Sequence, residues 1–244
     1  MNFKISLAGV NIEINSIYDE IYNLCRDYYT DKTADFTVSA TLSDIDFERD
    51  KSALEAKLEG RPVFDFTSAY LETLAVYRKI AEKMLDYDAF LMHGAAVAVG
   101  GAAYLFTAPS GVGKTTHTRF WLQTFPDAFM VNGDKPLIRF IDKKAFVCGT
   151  PWAGKEGYHR NVIMPLKAVC TLFRGKENSI SRANWGEVFP LVIGQVYRSA
   201  DEIKLNKTLQ LVKNLGERTR FYTLYCNLNP NAARVAKNGI DKDD

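Results

Sequence analysis

The nine residues APSGVGKTT, Ala108 to Thr116, constrain this chain more than any other stretch. They follow an apolar run, Ala102 to Thr107, and open a segment with helical character, Lys114 to Leu122. A glycine-rich turn between a buried strand and a helix is the setting in which a phosphate-binding loop works. Gly111 and Gly113 carry no side chain, so backbone N–H groups can curl around phosphate oxygens. The helix turns its positive end to the same place. Lys114 can reach the β and γ phosphates as a point charge. The Thr115 hydroxyl can ligate magnesium, which takes oxygen ligands and keeps several waters. Ser110 and Val112 complete the loop, and Thr116 is placed to reach an α-phosphate. The pattern thus predicts a Walker A site for a nucleoside triphosphate, ATP or GTP, with Mg2+. No segment clearly reads adenine, so pyrophosphate stays open as an alternative to ATP. One residue departs from the usual pattern: Ala108 stands where the first glycine is expected, and its methyl group requires a negative φ.

Around this loop the chain alternates short strands and helices. Phe3 to Leu7 and Val10 to Ile14 alternate in polarity about Ala8-Gly9, which predicts a hairpin. Ile17 to Tyr28 has helical spacing, Phe36 to Thr41 alternates, and Ser43 to Leu58 reads as a charged surface helix. Ser68 to Leu85 is apolar at helical spacing and free of glycine and proline, so it reads as a helix. The next segments differ in character. Ala95 to Val99 and Ala102 to Thr107 are apolar throughout and joined by Gly100-Gly101, as in buried strands of a tight hairpin. Ala128 to Asn132 predicts a strand, and Leu137 to Ile141 with Ala145 to Cys148 a hairpin. Leu166 to Phe173 predicts another strand. Trp185 to Tyr197 and Asp201 to Leu215 read as helices, Phe221 to Cys226 as a strand and Pro230 to Lys237 as a helix. The polar tail from Asp241 is expected to fray. This organisation predicts a variable α/β region over residues 1–88 and a nucleotide-binding, kinase-like domain over residues 89–244.

Charge and cysteine usage exclude several classes. Lys plus Arg number 31 and Asp plus Glu 29, a net of +2, so no basic stripe marks a nucleic-acid partner. No apolar run approaches the 18 or so residues of a membrane span. The amino terminus alternates and carries charge, unlike the apolar core of a signal peptide. Cys25, Cys148, Cys170 and Cys226 are far apart, with no C-x-x-C spacing for a zinc or redox site. A cytoplasmic location with reduced thiols is the expectation.

Two stretches flank the loop with chemistry of their own. Leu91-Met92-His93-Gly94 precedes the strand hairpin that feeds it. Val131-Asn132-Gly133-Asp134-Lys135-Pro136 ends the strand that follows it, so Asp134 is placed to hold the metal directly or through water. With the loop, these stretches resemble the phosphoenolpyruvate carboxykinase and HPr kinase/phosphorylase superfamily. GTPWAGKEGYHRN at Gly149 to Asn161, MPLKAV at Met164 to Val169 and CNLNPNAARVA at Cys226 to Ala236 resemble its small HPr-kinase-like, carboxykinase-related proteins. The resemblance spans roughly residues 90–240.

The resemblance implies an α/β (α+β-like) core with a mixed, strongly bent sheet, accompanied by a small α/β amino-terminal part. It implies phosphoryl transfer, with His93 beside the reacting phosphate. It also implies an acidic pair after the next strand, one residue for the metal and one for acid/base work. That pair reads Gly133-Asp134 here, so Asp134 serves both roles or the base lies elsewhere, with Glu156 and His159 as candidates. The Trp152 to Arg160 segment is glycine-rich, basic and aromatic, as in a substrate lid. Lys155 and Arg160 in it could stabilise the transferring phosphoryl group. His93, Asp134, Lys155 and Arg160 are therefore the candidate catalytic residues, and Thr115 and Asp134 the candidate metal ligands.

The expected activity is phosphorylation of a serine hydroxyl in a protein, a peptide or a free small molecule. A nucleotide-binding regulatory protein that transfers nothing is the alternative. Carboxykinase activity is a third, although the oxaloacetate-binding half of those enzymes would need a longer chain. The HPr kinases it resembles assemble as hexamers, so a homo-oligomer is a further expectation.

Overall fold

A computed structural model describes residues 1–243, which group into two compact units divided between Lys83 and Met84. In the first unit, strands β1 (Asn2–Leu7) and β2 (Val10–Asn15) form the expected hairpin, with β3 (Phe36–Ser39) added parallel to β2. Ala8 and Gly9 make its turn at positive φ. Alternation places Ile5, Leu7, Ile12 and Ile14 on the buried face. The helix expected from Ile17 is shorter: α1 covers only Glu20–Leu24 and ends in a 3-10 turn, Arg26–Tyr28. Two longer helices, α2 (Leu42–Leu58) and α3 (Ser68–Met84), follow. A capping box between Thr41 and Asp44 fixes the start of α2.

The second unit is built on a nine-stranded mixed sheet. Its elements are β4 (Ala89–Leu91), β5 (Ala95–Val99), β6 (Ala102–Thr107), α4 (Lys114–Thr124), β7 (Phe129–Asn132), β8 (Leu137–Ile141), β9 (Lys144–Cys148) and β10 (Ile163–Arg174). They continue with β11 (Ser179–Ala183), α5 (Trp185–Ile193), α6 (Glu202–Arg218), β12 (Arg220–Cys226) and α7 (Asn231–Asp241). The twelve-residue strand β10 organises the sheet. Its first residues, Ile163 to Pro165, pair antiparallel with β9 and so join the β4-β8-β9 meander. From Leu166 it runs parallel to β6, with a register shift before Ala168, and from Ala168 it runs parallel to β12 as well. A strand shared by two sets of partners across a bulge curls the sheet, and the architecture is the mixed α/β class with a strongly curled sheet. Parallel pairing brings the carboxyl ends of β6, β10 and β12 to one edge, where the Ala108–Gly113 turn emerges.

Both faces of the central strands are covered. One core contains Leu105, Val131, Ile138, Val169, Val212 and Leu215, and the other Tyr104, Phe106, Trp121, Cys170, Tyr222 and Ala236. This explains why β5 and β6 read as unbroken apolar runs rather than alternating ones. The hairpin expected between Ile141 and Ala145 is present, with Asp142 and Lys143 both at positive φ, as a tight two-residue turn demands. Three expectations are corrected. The segment expected as a helix to Tyr197 leaves the helix at Ile193, where Gly194 follows and Pro190 already lies inside. Strand β11 has no counterpart in the sequence reading. Of the tail expected to fray, Asp241 pairs with Lys167 and Lys237, and Tyr222 donates to Asp243 at 2.7 Å, while Asp244 lies outside the described residues. Among the described residues no helix is long and apolar enough to cross a membrane, and all four cysteines are free thiols.

Candidate functional site

The turn from β6 into α4 has the backbone that its glycines permit. Gly111 sits at φ +80° and Gly113 at +126°, values at which a side chain is strained. Ala108 is not among the positive-φ residues, so its methyl group is accommodated. Gly113 caps α4 with no side-chain hydrogen bond, leaving the first amides of the helix facing the turn. Lys114 is 9% exposed, and its Nζ donates to the carbonyl oxygens of Ala108 at 2.8 Å and Pro109 at 3.4 Å. Burial lowers the Lys114 pKa, while the charge of Asp134 pulls it back up.

Lys114 and Thr115 face a cleft of about 460 Å3, lined also by Ser110, Gly111, Gly113 and Thr116 of the turn. His93, Asp134 and Lys155 line the same cleft, so three elements distant in sequence converge on it. His93 Nε2 lies 3.0 Å from Asp134 Oδ1. The backbone at His93 is pinned on both sides: its N–H donates to the Gln195 carbonyl at 2.7 Å, and its carbonyl accepts from Thr107 Oγ1 at 2.9 Å. Gly94 N–H donates to the Asp134 carbonyl at 2.9 Å. Any Cβ on Gly94 would come within 3.0 Å of Leu105 and the Phe106 carbonyl, so this close passage needs glycine. Burial pushes the Asp134 carboxyl upward. The hydrogen bond from His93 and the charges of Lys135, His93 and Lys114 outweigh it, and the net displacement is downward.

Asn132 holds the Asp134 turn together. It is fully buried, and its Oδ1 accepts the N–H groups of Asp134 at 2.8 Å and Lys135 at 2.7 Å. Its Nδ2 donates to the Thr150 carbonyl at 2.8 Å and to Thr150 Oγ1 at 3.0 Å. Thr150 Oγ1 in turn donates to the Lys135 carbonyl at 2.8 Å. The sequence reading passed over Asn132 and Thr150. The Asn-Gly-Asp run carried a usable signal, since an asparagine bonding the amide two residues on is a recognised turn device.

The Trp152–Arg160 segment forms one wall of the cleft. The Arg160 N–H donates to the Val131 carbonyl at 3.1 Å, and Asn132 and His159 form an antiparallel bridge. Glu156 pairs with Arg119 of α4 at 2.6 Å. This ion pair engages the carboxylate that sequence offered as a base. Gly154, at φ +72°, lies against Asp134, with any Cβ there only 3.0 Å from the Asp134 Cβ. Arg160 stands apart from the other candidates. Its guanidinium lies 4.5 Å from the Phe129 ring centroid, and it does not line the cleft. Gly133 has a physical reason: a Cβ there would meet the Ala153 carbonyl oxygen at 2.8 Å. The segment occupies the space that a second carboxylate would take.

On the other side of the turn lies a second cavity of about 530 Å3, sharing Gly111, Gly113 and Thr116 with the cleft. Its walls include Val112, Phe120, Leu172, Phe173 and Asn227, and the 83% exposed Leu228 stands among them. His117 also reaches it from α4. That ring is buried, accepts from Trp121 Nε1 at 2.9 Å and sits 3.5 Å from Cys226 Sγ, and burial pushes its pKa down to about 3. It is a neutral core histidine.

Among the described residues no cluster of three or more His, Cys, Asp or Glu side chains could cage a metal. The Asp134 carboxylate and the Thr115 hydroxyl at the cleft instead suit magnesium, which completes its shell with water and substrate phosphate oxygens.

No family model matches the chain, and no curated protein matches it. Among solved structures it is similar to the Hpr(Ser) kinase/phosphatase from Coxiella burnetii, at 8% identity and a TM-score of 0.38, over 63% of this chain and 95% of that one.

Proposed function

We propose that the cleft is a phosphoryl-transfer site, using a magnesium-bound nucleoside triphosphate to phosphorylate a hydroxyl group. The observation that carries this is the convergence of Lys114, Thr115, His93 and Asp134 on one cleft at the positive end of α4. In this reading the amides of Gly111 to Lys114 cradle the phosphates, with Ser110 beside them. Lys114 neutralises charge on the β and γ groups. Thr115 and the free Oδ2 of Asp134 would hold magnesium, which supplies charge neutralisation at the transferring group. The second cavity supports a nucleotide over pyrophosphate: it adjoins the loop at Thr116 and offers Phe120 and Phe173 to a flat base.

The acceptor oxygen attacks the γ-phosphorus, the bond to the β–γ bridging oxygen breaks, and the diphosphate leaves. The acceptor proton needs a base, and Gly133 leaves no room for a second carboxylate. His93 takes that role in our reading. With Nε2–H donated to Asp134, the neutral ring keeps its lone pair on Nδ1, and Asp134 steadies the imidazolium that forms. Lys155, at the cleft wall, would meet the γ-phosphate or an anionic group of the acceptor, whereas Arg160, held over Phe129, is left out of this reading.

The test is incubation with γ-labelled ATP, magnesium and a panel of acceptors: free serine, serine peptides and small proteins. Transfer of label to one acceptor class, lost in Asp134→Asn, is the expected result. Saturable ATP binding with no acceptor labelled would favour a regulatory nucleotide-binding protein, a reading that the missing acid at Gly133 supports.

A further inference from the structure

Arg174 stands at the carboxyl end of β10 and extends its guanidinium to the glycine turn 63 residues earlier in the chain. Its Nη2 donates to the Gly111 carbonyl oxygen at 2.7 Å. Among the described residues that is the only hydrogen bond of this exposed side chain, and no carboxylate pairs with it. A cation that long, left without an acidic partner and aimed at a single main-chain oxygen, asks for an explanation.

The geometry of the peptide supplies one. The Gly111–Val112 bond is trans, as all peptide bonds here are, so the Gly111 carbonyl and the Val112 N–H point in opposite directions. Arg174 lines the second cavity and not the cleft. By holding the carbonyl on its own side, it turns the Val112 amide the opposite way, and the flanking Gly111 and Gly113 line the cleft. Gly111 sits at φ +80° with no atom within 4 Å of where its Cβ would be, so no neighbour crowds the turn at that point. A flip would replace an amide donor with a carbonyl oxygen in the cradle, repelling an anion.

We infer that Arg174 is a positioning residue that locks the Gly111–Val112 peptide with its amide facing the phosphate site. The role rests on the phosphate-site reading above, yet the lock itself is a property of the free protein. It makes the affinity of the cradle depend on a residue of another strand, and it acts on the phosphates rather than on the base.

Two measurements on the full chain test it. In the ligand-free protein, 15N relaxation reports the backbone mobility of Val112 and Gly113. Isothermal titration reports the affinity for magnesium pyrophosphate, a probe that carries phosphates and no base. Arg174→Ala is expected to loosen both amides and weaken pyrophosphate binding about tenfold, the scale of one charge-assisted hydrogen bond. Arg174→Lys, which keeps a charged donor, is expected to recover part of both. Unchanged relaxation in folded Arg174→Ala overturns the lock, whatever the binding shows. Loosened amides with pyrophosphate affinity within twofold of wild type overturn its role in the cradle. If wild type itself binds no pyrophosphate or nucleotide while the amides still loosen, the phosphate-site reading fails and the lock stands.

Discussion

His93 Nε2 and Asp134 Oδ1 lie 3.0 Å apart at the wall of the cleft that Lys114 and Thr115 also face. The two residues come from different loops, and main-chain hydrogen bonds to Gln195, Thr107 and Gly94 hold the pair in place. If the pair moves the acceptor proton, its two halves differ in what they do. Replacing His93 by glutamine should lower the transfer rate by about a hundredfold or more, while nucleotide affinity stays near wild type. Asp134→Asn should lower the rate further, about a thousandfold, and should also raise the magnesium concentration needed for half-maximal rate, since this carboxylate serves ion and imidazole together. Steady-state rates against magnesium concentration separate the two effects. Equal losses with no change in magnesium dependence would remove the metal from the role of Asp134.

Gly133 is a packing requirement as much as a missing acid. Gly133→Ala should cost about 1–3 kcal/mol of stability, because its methyl group meets the Ala153 carbonyl oxygen at 2.8 Å. Gly133→Asp should not raise the transfer rate, since the added carboxylate has no space without displacing the Trp152–Arg160 segment. Denaturant midpoints and rates for both variants check this. A more active Gly133→Asp would show that the segment yields easily.

Asn132 should matter far beyond its size. Each of its two polar atoms serves at least two partners in a fully buried site. Asn132→Ala strands those partners, and the expected loss is about 2–4 kcal/mol in urea unfolding. A loss under about 0.5 kcal/mol would mean that the turn holds itself.

The first unit carries a pH-sensitive contact of its own. Asp44 accepts from Lys79 at 2.5 Å and from Arg78 at 3.3 Å, and it closes the capping box with Thr41. Burial pushes its pKa up, but the hydrogen bonds from Lys79 and Thr41 and the Lys79 charge bring it down to about 2. A carboxylate lowered by folding stabilises the fold above its unfolded value, near 4, and loses that contribution as pH falls through its folded value. Asp44→Asn should therefore cost on the order of 2 kcal/mol at neutral pH, a difference that fades between about pH 4 and pH 2. Urea midpoints measured across that range give the curve.

The glycine-rich turn was legible in the sequence, whereas the contacts that hold its neighbours in place were not. Gly111, Gly113 and Lys114 are neighbours, so their joint meaning survives without a fold. Gly100-Gly101 likewise declares its hairpin through turn chemistry. Strand β11 reads only as SISRA, a short polar edge strand whose partner β12 begins more than thirty residues later, so no local period announces it. The contact of Arg174 with Gly111 is equally silent, because a lone arginine before a glycine looks like any exposed turn. The reason for Gly133 needed coordinates, since the obstructing Ala153 carbonyl is a main-chain atom that no residue pattern reports.

In the proposed site the Ala108–Thr116 turn binds the phosphates of a nucleotide. Calorimetric titration of magnesium ATP into wild type and Lys114→Ala tests it most directly. Saturable one-site binding by wild type, weakened at least about a hundredfold by loss of the lysine charge, is the result predicted. Binding by Lys114→Ala equal to wild type, or no binding by wild type, would contradict it.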